Sequence, residues 1–560
     1  MIIKKLISFL ICLIVLCSPA YAEGFASELE ETEGFYVNNF NMFEKPKFSV
    51  PATRSGAKSN PGDIEGARAA MRAALLNYND KCSFKSYKIS VKTMIEIFQS
   101  LWYEEPELFY VNFSSGLMYG SLSWTNYDEG AGDLEKRQAT TLYLAEDTSK
   151  EYPGVYRFTQ EETRAKQQII QKEYEEIISE ISPDLSDVEK ALAVHDYFVL
   201  HYEYNYSAAE SSYSNYPQAY AIDGLFIDKK AVCQGIALGY MYILGLLGID
   251  SVFVPSNDMG HAWNLIKIGN NWYHVDVTWD MYDNQYAGWV LHDHFLLSDS
   301  AIGQRREHYT DYHHDWTADY QAFDTTYDDF FWKYITSGIF NEGGYWYYVS
   351  YNSEKQVDTI CKRSIATGAE NVIIELGDVW SYTDGYDDKI MPRSSKLFLH
   401  LSRIYYISPY IILSADLNGN DIKVECEPEI DEDEAYVCGL AKEGTTARYC
   451  VMQLQAGLQR YDFIYEDTFV LSRVSVSLDN DSYIITLDKS VQSGILFAAV
   501  YNDAGTVCVP VLAQSVGSAG TAGYEFNASA ASGYTKLKVM IFDGLKPLVD
   551  PCAEFDLNNK

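Results

Sequence analysis

The chain has 560 residues, 79 of them acidic against 43 basic, and a formal net charge of −36. That length exceeds what one hydrophobic core organises, so three or four domains are expected. The acidic excess repels nucleic acid and anionic membrane surfaces and argues against either as a partner, although it leaves room for weak, adventitious calcium binding.

The opening stretch, MIIKKLISFLICLIVLCSPAYAEG, sets Lys4 and Lys5 before an apolar run from Leu6 to Leu16 and then spaces small residues at Ala20-Tyr21-Ala22. This predicts a secretory signal peptide over residues 1–22, too short and wrongly flanked for a spanning helix. Leu16 directly before Cys17 argues against a lipid-modified cysteine. No later stretch is long and apolar enough to cross a membrane. A secreted or extracellular protein, associated with a cell surface, is therefore expected. Of ten cysteines, Cys12 and Cys17 fall in the signal, which leaves eight, too sparse for a disulfide scaffold. Cys426, Cys438 and Cys450 are spaced by twelve residues. Neighbouring antiparallel strands can bring two of them within bonding range, and bonded and reduced arrangements both remain open.

Residues 23–61 are polar and irregular and read as a flexible linker. An N-terminal helical and strand region is expected over 62–182. Helical patterning covers Asp63–Tyr78 and Val91–Trp102, and LFYVNF and TTLYLAED read as strands. Thr159 and Glu162 form a capping box that opens a long helix to about Ile181. Its apolar positions, Ile169, Ile170, Tyr174, Ile177, Ile178 and Ile181, keep a 3.6-residue period. SPDL breaks it, and Ser186 with Glu189 caps the next helix, which runs to about His201. Beyond about Asp315 the texture becomes short, aromatic, alternating strands separated by Gly, Asn and Asp. A β-rich, repeat-like domain is expected over 330–460. A C-terminal β-sandwich of immunoglobulin-like size is expected over 465–560.

Chemistry concentrates between these regions. AVCQGIALGYMYILGLLGID, Ala231 to Asp250, is apolar on every face, so it forms a deeply buried helix that Gly248 stops in a left-handed turn. Cys233 stands at its N-terminus, where unpaired amides and the helix dipole favour a thiolate. Downstream, HAWNLIKIGNNWYHVDVTWD, residues 261 to 280, alternates around a Gly-Asn-Asn turn signal and reads as a β-hairpin. A two-residue loop at Gly269-Asn270 pairs Ile268 with Asn271 and extrapolates to His261 opposite Thr278, with Asp276 two residues along on the same face. A three-residue loop without a bulge would put His261 and Asp276 on opposite faces. The first register allows a thiol, an imidazole and a carboxylate in series, with His261 moving the proton of Cys233 and Asp276 fixing its tautomer. Each residue also has a structural reading. Cys233 can be a core thiol, His261 a strand histidine beside Trp263, and Asp276 a carboxylate that satisfies backbone amides. His274 shares the face of Asp276 and competes with it.

VCQGIALGYMYILGLLGI, GHAWNLIKIGNNWYHVDVTWD, HDYFVLHYEYN at 195–205 and HFLLSD at 294–299 together resemble the transglutaminase-like superfamily, particularly its secreted bacterial members. The resemblance covers about 130 residues, and four segments fall in the right order. It implies a multidomain α+β protein with a papain-like α/β core, the catalytic domain, over 183–318. Carried over position by position, it implies Cys233 as nucleophile, His261 as base and Asp276 as orienting acid. The backbone amide of Cys233 is one expected oxyanion donor, with a second near Gln218 or Tyr220. The activity implied is acyl transfer through a cysteine thioester, from a peptide amide to water or to an amine. The partners implied are a protein or peptide substrate and a cell-wall or surface polymer, and no cofactor or metal is called for. The rival reading is a surface adhesion or carbohydrate-binding protein with a vestigial triad.

Three further signals carry less. HDH at 292–294 with His308, His313 and His314 offers imidazoles without a set of converging ligands. Asp416-Leu-Asn-Gly-Asn-Asp with Glu427 resembles a calcium loop, but it places Asp421 where glycine is required and reads as a hairpin turn. Tyr345 to Tyr348 could form an aromatic platform for sugars.

Overall fold

The computed structural model describes residues 32–37, 61–114, 116–123, 134–135, 137–211, 213–256, 259–281, 290–304, 320–355, 357–376, 382–383, 389–390, 397–430, 435–443, 446–455, 460–471, 474–479, 481–487, 494–501, 508–516, 524–543, 546–547 and 553–557. The expected signal peptide, most of the linker, and His308, His313 and His314 lie outside them. The described residues fall into two compact units, one within 1–39, 46–99 and 113–155, the other within 100–112 and 156–560.

In the first unit, β1 (Thr32–Val37), α1 (Pro61–Leu76), β2 (Lys81–Ser83), the body of α2 (Val91–Glu104), β3 (Leu117–Ser123) and β4 (Arg137–Tyr143) form a small α+β body. Its sheet runs β1-β3-β4-β2. The stretch that reads as a linker therefore contains a strand, paired antiparallel with β3. LFYVNF, of which Leu108 to Asn112 belong to the second unit, is not a strand. Pro106 opens a 3-10 turn over Pro106–Leu108, and only Val111 makes an isolated bridge, to Tyr156. The run is apolar because Leu108, Phe109, Tyr110, Val111 and Phe113 are buried as a turn, with the Arg157 guanidinium donating to the Phe109 carbonyl.

The second unit begins with α3 (Gln160–Glu180) and α4 (Asp187–His201). Each opens on a reciprocal capping box, Thr159 with Glu162 and Ser186 with Glu189. The apolar stripe of α3 is narrower than its pattern suggests. Ile170 and Ile177 are buried, Ile169 is half exposed, and the buried Glu173 accepts from the Tyr202 hydroxyl at 2.6 Å. Then come β5 (Glu203–Tyr204), α5 (Tyr206–Ala209), α6 (Ile222–Asp228), β6 (Lys230–Ala231) and α7 (Cys233–Leu246). An antiparallel sheet follows, from β7 (Ser251–Ser256), β8 (His261–Ile268), β9 (Asn271–Val275) and β10 (Phe295–Leu297), in the order β10-β9-β8-β7. The turn α8 (Val277–Asp280) leaves the end of β9, and α9 (Asp299–Ile302) follows β10. Asn264 ties helix to sheet, its amide donating to the Ala237 carbonyl at 3.0 Å. The segment from Tyr320 onward packs back on this sheet. Ala322 joins the cluster of Val254, Trp263 and Leu265, Asp328 accepts from the Ser298 hydroxyl at 2.7 Å, and Trp332 is fully buried.

Beyond residue 339 the described structure is almost all β. Antiparallel meanders at 340–375, 397–426 and 435–470 share one core, from Tyr347 through Ile404 to Leu471. The strand Arg460–Val470 belongs to the last meander and runs through the division expected between 460 and 465. Two further sheets, built from 474–527 and 494–556, share a second core around Ile485, Val500, Phe526 and Val539. The aromatic run at 345–348 is no stacking platform, because Trp346, Tyr347 and Tyr348 are buried and only Tyr345 reaches solvent. Asp416 to Asp421 forms a turn rather than an ion loop. Gly419 takes a φ of +82°, and the Asp416 carboxylate accepts from the Asn418 and Asn420 amides at 2.8 Å. Cys426 is a free thiol, while the side chains of Cys438 and Cys450 lie outside the described residues.

Candidate active site

The cysteine is placed by short-range events. Lys229 ends α6 in a left-handed turn at φ 61°, Lys230-Ala231 pairs in parallel with Glu203-Tyr204, and Val232 stays extended. The Val232 amide donates to the Ala219 carbonyl at 3.0 Å, so the helix begins at Cys233. No side chain caps this end, which leaves first-turn amides to be met by other partners. Glycines let α7 press against its neighbours, since a Cβ at Gly239 would sit 2.2 Å from Leu225 and one at Gly235 2.5 Å from the Ala219 carbonyl oxygen. Gly248, at φ +82°, supplies the left-handed stop.

The hairpin forms in the two-residue register, with Ile268 opposite Asn271 and Asn264 opposite Val275. Gly269 alone takes a positive φ, +60°, as the first central position of a type II′ turn requires. His261 is not opposite Thr278, however. The pairing of β8 with β9 stops at Asn264, Thr278 turns into α8, and His261 pairs with Ser256 of β7. Asp276 becomes the N-cap of α8, its Oδ1 accepting from the Trp279 amide at 3.2 Å. Its Oδ2 lies 2.7 Å from His261 Nε2. That contact leaves Nδ1 as the ring atom to serve Cys233, which lies close enough to help raise the imidazole. The three residues chosen from sequence are thus brought together and buried, at 5%, 7% and 0% exposure for Cys233, His261 and Asp276. Trp263 stacks 5.8 Å from the His261 ring and Trp279, 42% exposed, meets it edge-on at 5.6 Å.

Burial opposes a charge on His261, but the Asp276 carboxylate and its hydrogen bond, with the thiol beyond, outweigh it and push the imidazole up to about 10. Tyr204 is raised by burial and then by the nearby Cys233, so its hydroxyl stays protonated beside the site. Tyr220 is not a spare donor, since its hydroxyl bonds the Ala208 carbonyl at 3.3 Å. His274 is engaged elsewhere, between the Trp263 indole at 3.0 Å and Asp299 at 2.9 Å.

The sequence reading missed a second buried cluster behind the first. His195 Nδ1 meets Asp196 at 2.9 Å and its Nε2 meets Asp280 at 3.2 Å. His292 Nε2 meets Asp196 at 3.0 Å, and its Nδ1 donates to the Ile335 carbonyl at 3.0 Å. His294 Nδ1 meets Asp280 at 3.0 Å. Among the described residues, His195, Asp196 and His292 bring one ligand atom each within 4.8 Å of one another. Each of these atoms already serves a hydrogen bond, so the set reads as a proton-linked network. The available signals were HDY, HDH and the second acid of DVTWD, but no local spacing links residues so far apart.

Both nitrogens of His195 face carboxylates, which requires an imidazolium. Burial lowers its basicity, but Asp196 and Asp280 outweigh burial and raise the group from 6.5 to about 9. Burial raises Asp196 and Asp280, but their histidine partners more than offset it and leave both below the ordinary 3.8. The stability from a raised histidine is fully present below its unfolded value and is lost as pH rises through its folded value. For lowered carboxylates it is present above the unfolded value and lost as pH falls. The melting temperature of the chain should therefore fall from about pH 6.5 to 9 as His195 titrates and on to about pH 10 as His261 does, and separately below about pH 4. His195→Asn should reduce the upper slope and leave the part due to His261, and an unchanged slope would show that His195 is neutral.

Residues 175–277, which include Cys233, His261 and Asp276, match the family model described as the transglutaminase-like superfamily. Among similar solved structures is a crystal structure of a TGase, 16% identical, covering 28% of this chain and 44% of that one, with a TM-score of 0.19. The chain thus spans under half the length of that TGase. A nidogen/laminin complex is 12% identical over 40% of this chain and 82% of the other, with a TM-score of 0.15. The β-propeller domain of the trilobed protease from Pyrococcus furiosus is 11% identical over 38% and 69%, with a TM-score of 0.13. No curated protein matches the chain. What the comparisons show is thus a likeness of residues 175–277 to the transglutaminase-like superfamily.

Proposed function

We propose that the chain is an exported acyl-transfer enzyme that forms a thioester at Cys233 from a peptide carboxamide or peptide bond. The observation that carries this reading is the single imidazole of His261, bonded through Nε2 to Asp276 at 2.7 Å, with Cys233 close enough to raise its basicity further. His261 takes the thiol proton on Nδ1 while Asp276 holds the Nε2 proton and stabilises the imidazolium. The sulfur adds to the acyl carbon, and the backbone amide of Cys233 donates to the oxyanion. Collapse expels ammonia or an amine, which takes its proton from His261 and leaves the thioester. Water or an amine then adds with His261 as base, and the thiol is released. Hydrolysis is the favoured outcome, because water is always present and no amine pocket is specified.

Among the described residues no helix is long and apolar enough to cross a membrane. With the leader-like first 22 residues, that supports a secreted protein, and the β regions would place the enzyme on a surface polymer. Two sheets around one core support reading the final module as an immunoglobulin-like sandwich.

The test is brief exposure of the folded chain to limiting iodoacetamide at about pH 6.5. Cys233 should be alkylated ahead of every other thiol, and His261→Ala should slow it. Glutamine-containing peptides offered with a labelled primary amine should then show deamidation, cleavage or amine incorporation by mass spectrometry. A Cys233 that labels no faster than the remaining thiols would favour the adhesion reading with a vestigial triad.

A further inference from the structure

The deeper histidine-carboxylate cluster is joined through backbone to the residues assigned to the chemistry. The Asp276 amide donates to the His294 carbonyl at 3.0 Å. The His294 amide donates to both oxygens of the Asp280 carboxylate at 3.1 Å, and its ring bonds the same group. The Asp280 amide, in turn, donates to the Asp276 carbonyl at 3.3 Å. Asp280 thus governs both peptide groups flanking the carboxylate that orients His261. It is fully buried and braced from behind by His195 of α4.

We infer that Asp280 is a positioning residue for the acyl-transfer site, holding Asp276 through the backbone of His294. The inference rests on the function proposed above. An aspartate suits the place because two N–H groups from His294 and one from His195 converge on it, so an acceptor-only side chain satisfies all three. Asparagine offers one acceptor oxygen where the carboxylate offers two, and its NH2 keeps a bond only where the facing imidazole gives up its proton, so the charge that braces the turn is lost. The groups facing Asp280 are His195 and Asp196 from α4, His292 and His294 from the segment before β10, and Asp276 from its own turn. Lys333 closes the far side by donating to the His292 and Phe295 carbonyls. Asp196 serves as an internal control. It is equally buried and equally charged, but it binds His195, His292 and the Ile339 amide and makes no bond to the Asp276 turn.

The experiment measures the rate of Cys233 alkylation against pH in the full chain, with melting temperature in parallel, for the wild type, Asp280→Asn and Asp196→Asn. Both variants should melt earlier. Asp280→Asn should slow alkylation near neutral pH by about tenfold or more and move the acid limb of the profile upward, as a misplaced His261 requires. Asp196→Asn should stay within about twofold of the wild type, a far smaller change than such misplacement gives. Should Asp280→Asn not fold, Asp280→Ser, which still accepts one bond from His294, should move the profile the same way by at least as much. A wild type with a reactive Cys233 and an Asp280 variant with an unmoved profile would overturn the inference alone. So would Asp196→Asn slowing the reaction as much as Asp280→Asn, because general loosening would then explain both. An unreactive wild-type Cys233 would instead overturn the proposed function, and the inference with it.

Discussion

Cys233→Ala should lower acyl-transfer turnover by roughly 10⁴-fold or more, about 5 kcal/mol of transition-state stabilisation, with the fold intact. The loss is large because thiol, imidazole and carboxylate act as one unit, and without sulfur there is no thioester for His261 to form or break. The other described thiols cannot take over. Burial pushes Cys82 up to about 12 and Cys361 up to about 11 and raises Cys426 as well, which disfavours the thiolate in each. The substitution itself is mild, since alanine is the best helix former and only one sulfur is removed from a buried site. The check is turnover on the peptide identified with the amine probe, beside the melting temperature. Residual turnover within tenfold of the wild type, at equal stability, would mean that Cys233 is not the nucleophile.

Gly235→Ala should cost more in stability than its size suggests, about 1–3 kcal/mol, and should slow Cys233 alkylation by about tenfold or more. Its Cβ would meet the Ala219 carbonyl oxygen at 2.5 Å and the Ala231 Cβ at 2.8 Å. Neither neighbour yields easily. The Ala219 carbonyl already accepts from Val232, and the adjoining Gln218 carbonyl is boxed in by α6, where a Cβ on Gly224 would come within 2.3 Å of it. Relief therefore comes from moving the first turn of α7, which carries Cys233. Gly245→Ala, in the same helix, is the counterpart. A Cβ there meets nothing within 4 Å, so the gain in helix propensity should leave the chain unchanged or more stable by up to about 1 kcal/mol. Chemical denaturation of the two variants checks the contrast. Equal stabilities would mean that the segment around Ala219 shifts freely.

Local chemistry wrote several elements plainly into the chain. Thr159 with Glu162 and Ser186 with Glu189 satisfy helix-end amides from three residues away, so both helices begin where the pattern places them. Gly269-Asn270 sets the hairpin register, because a two-residue turn leaves no choice of partner. The uniformly apolar run after Cys233 can only be an interior helix, and Gly248 can only end it. These signals act over a few residues, which is why a sequence can state them.

What tertiary structure alone decided lies at longer range. LFYVNF has the composition of a strand, yet no edge is offered to it, and burial as a turn served its apolar side chains instead. Extending the hairpin register put Thr278 across from His261. The chain left the sheet at Asp276 because that carboxylate caps α8 and reaches the imidazole from the strand end. Asp280, His195, Asp196, His292 and His294 carry no shared period, since the residues that meet are up to 96 positions apart. Their pairing follows from packing α4 behind the sheet, where each buried charge needs an opposite one. The sequence by itself determined which residues could do the chemistry. The packed structure determined which carboxylate holds the imidazole and what holds that carboxylate, because those distances exist only once helix, hairpin and the segment around Ile335–Ile339 close on one another.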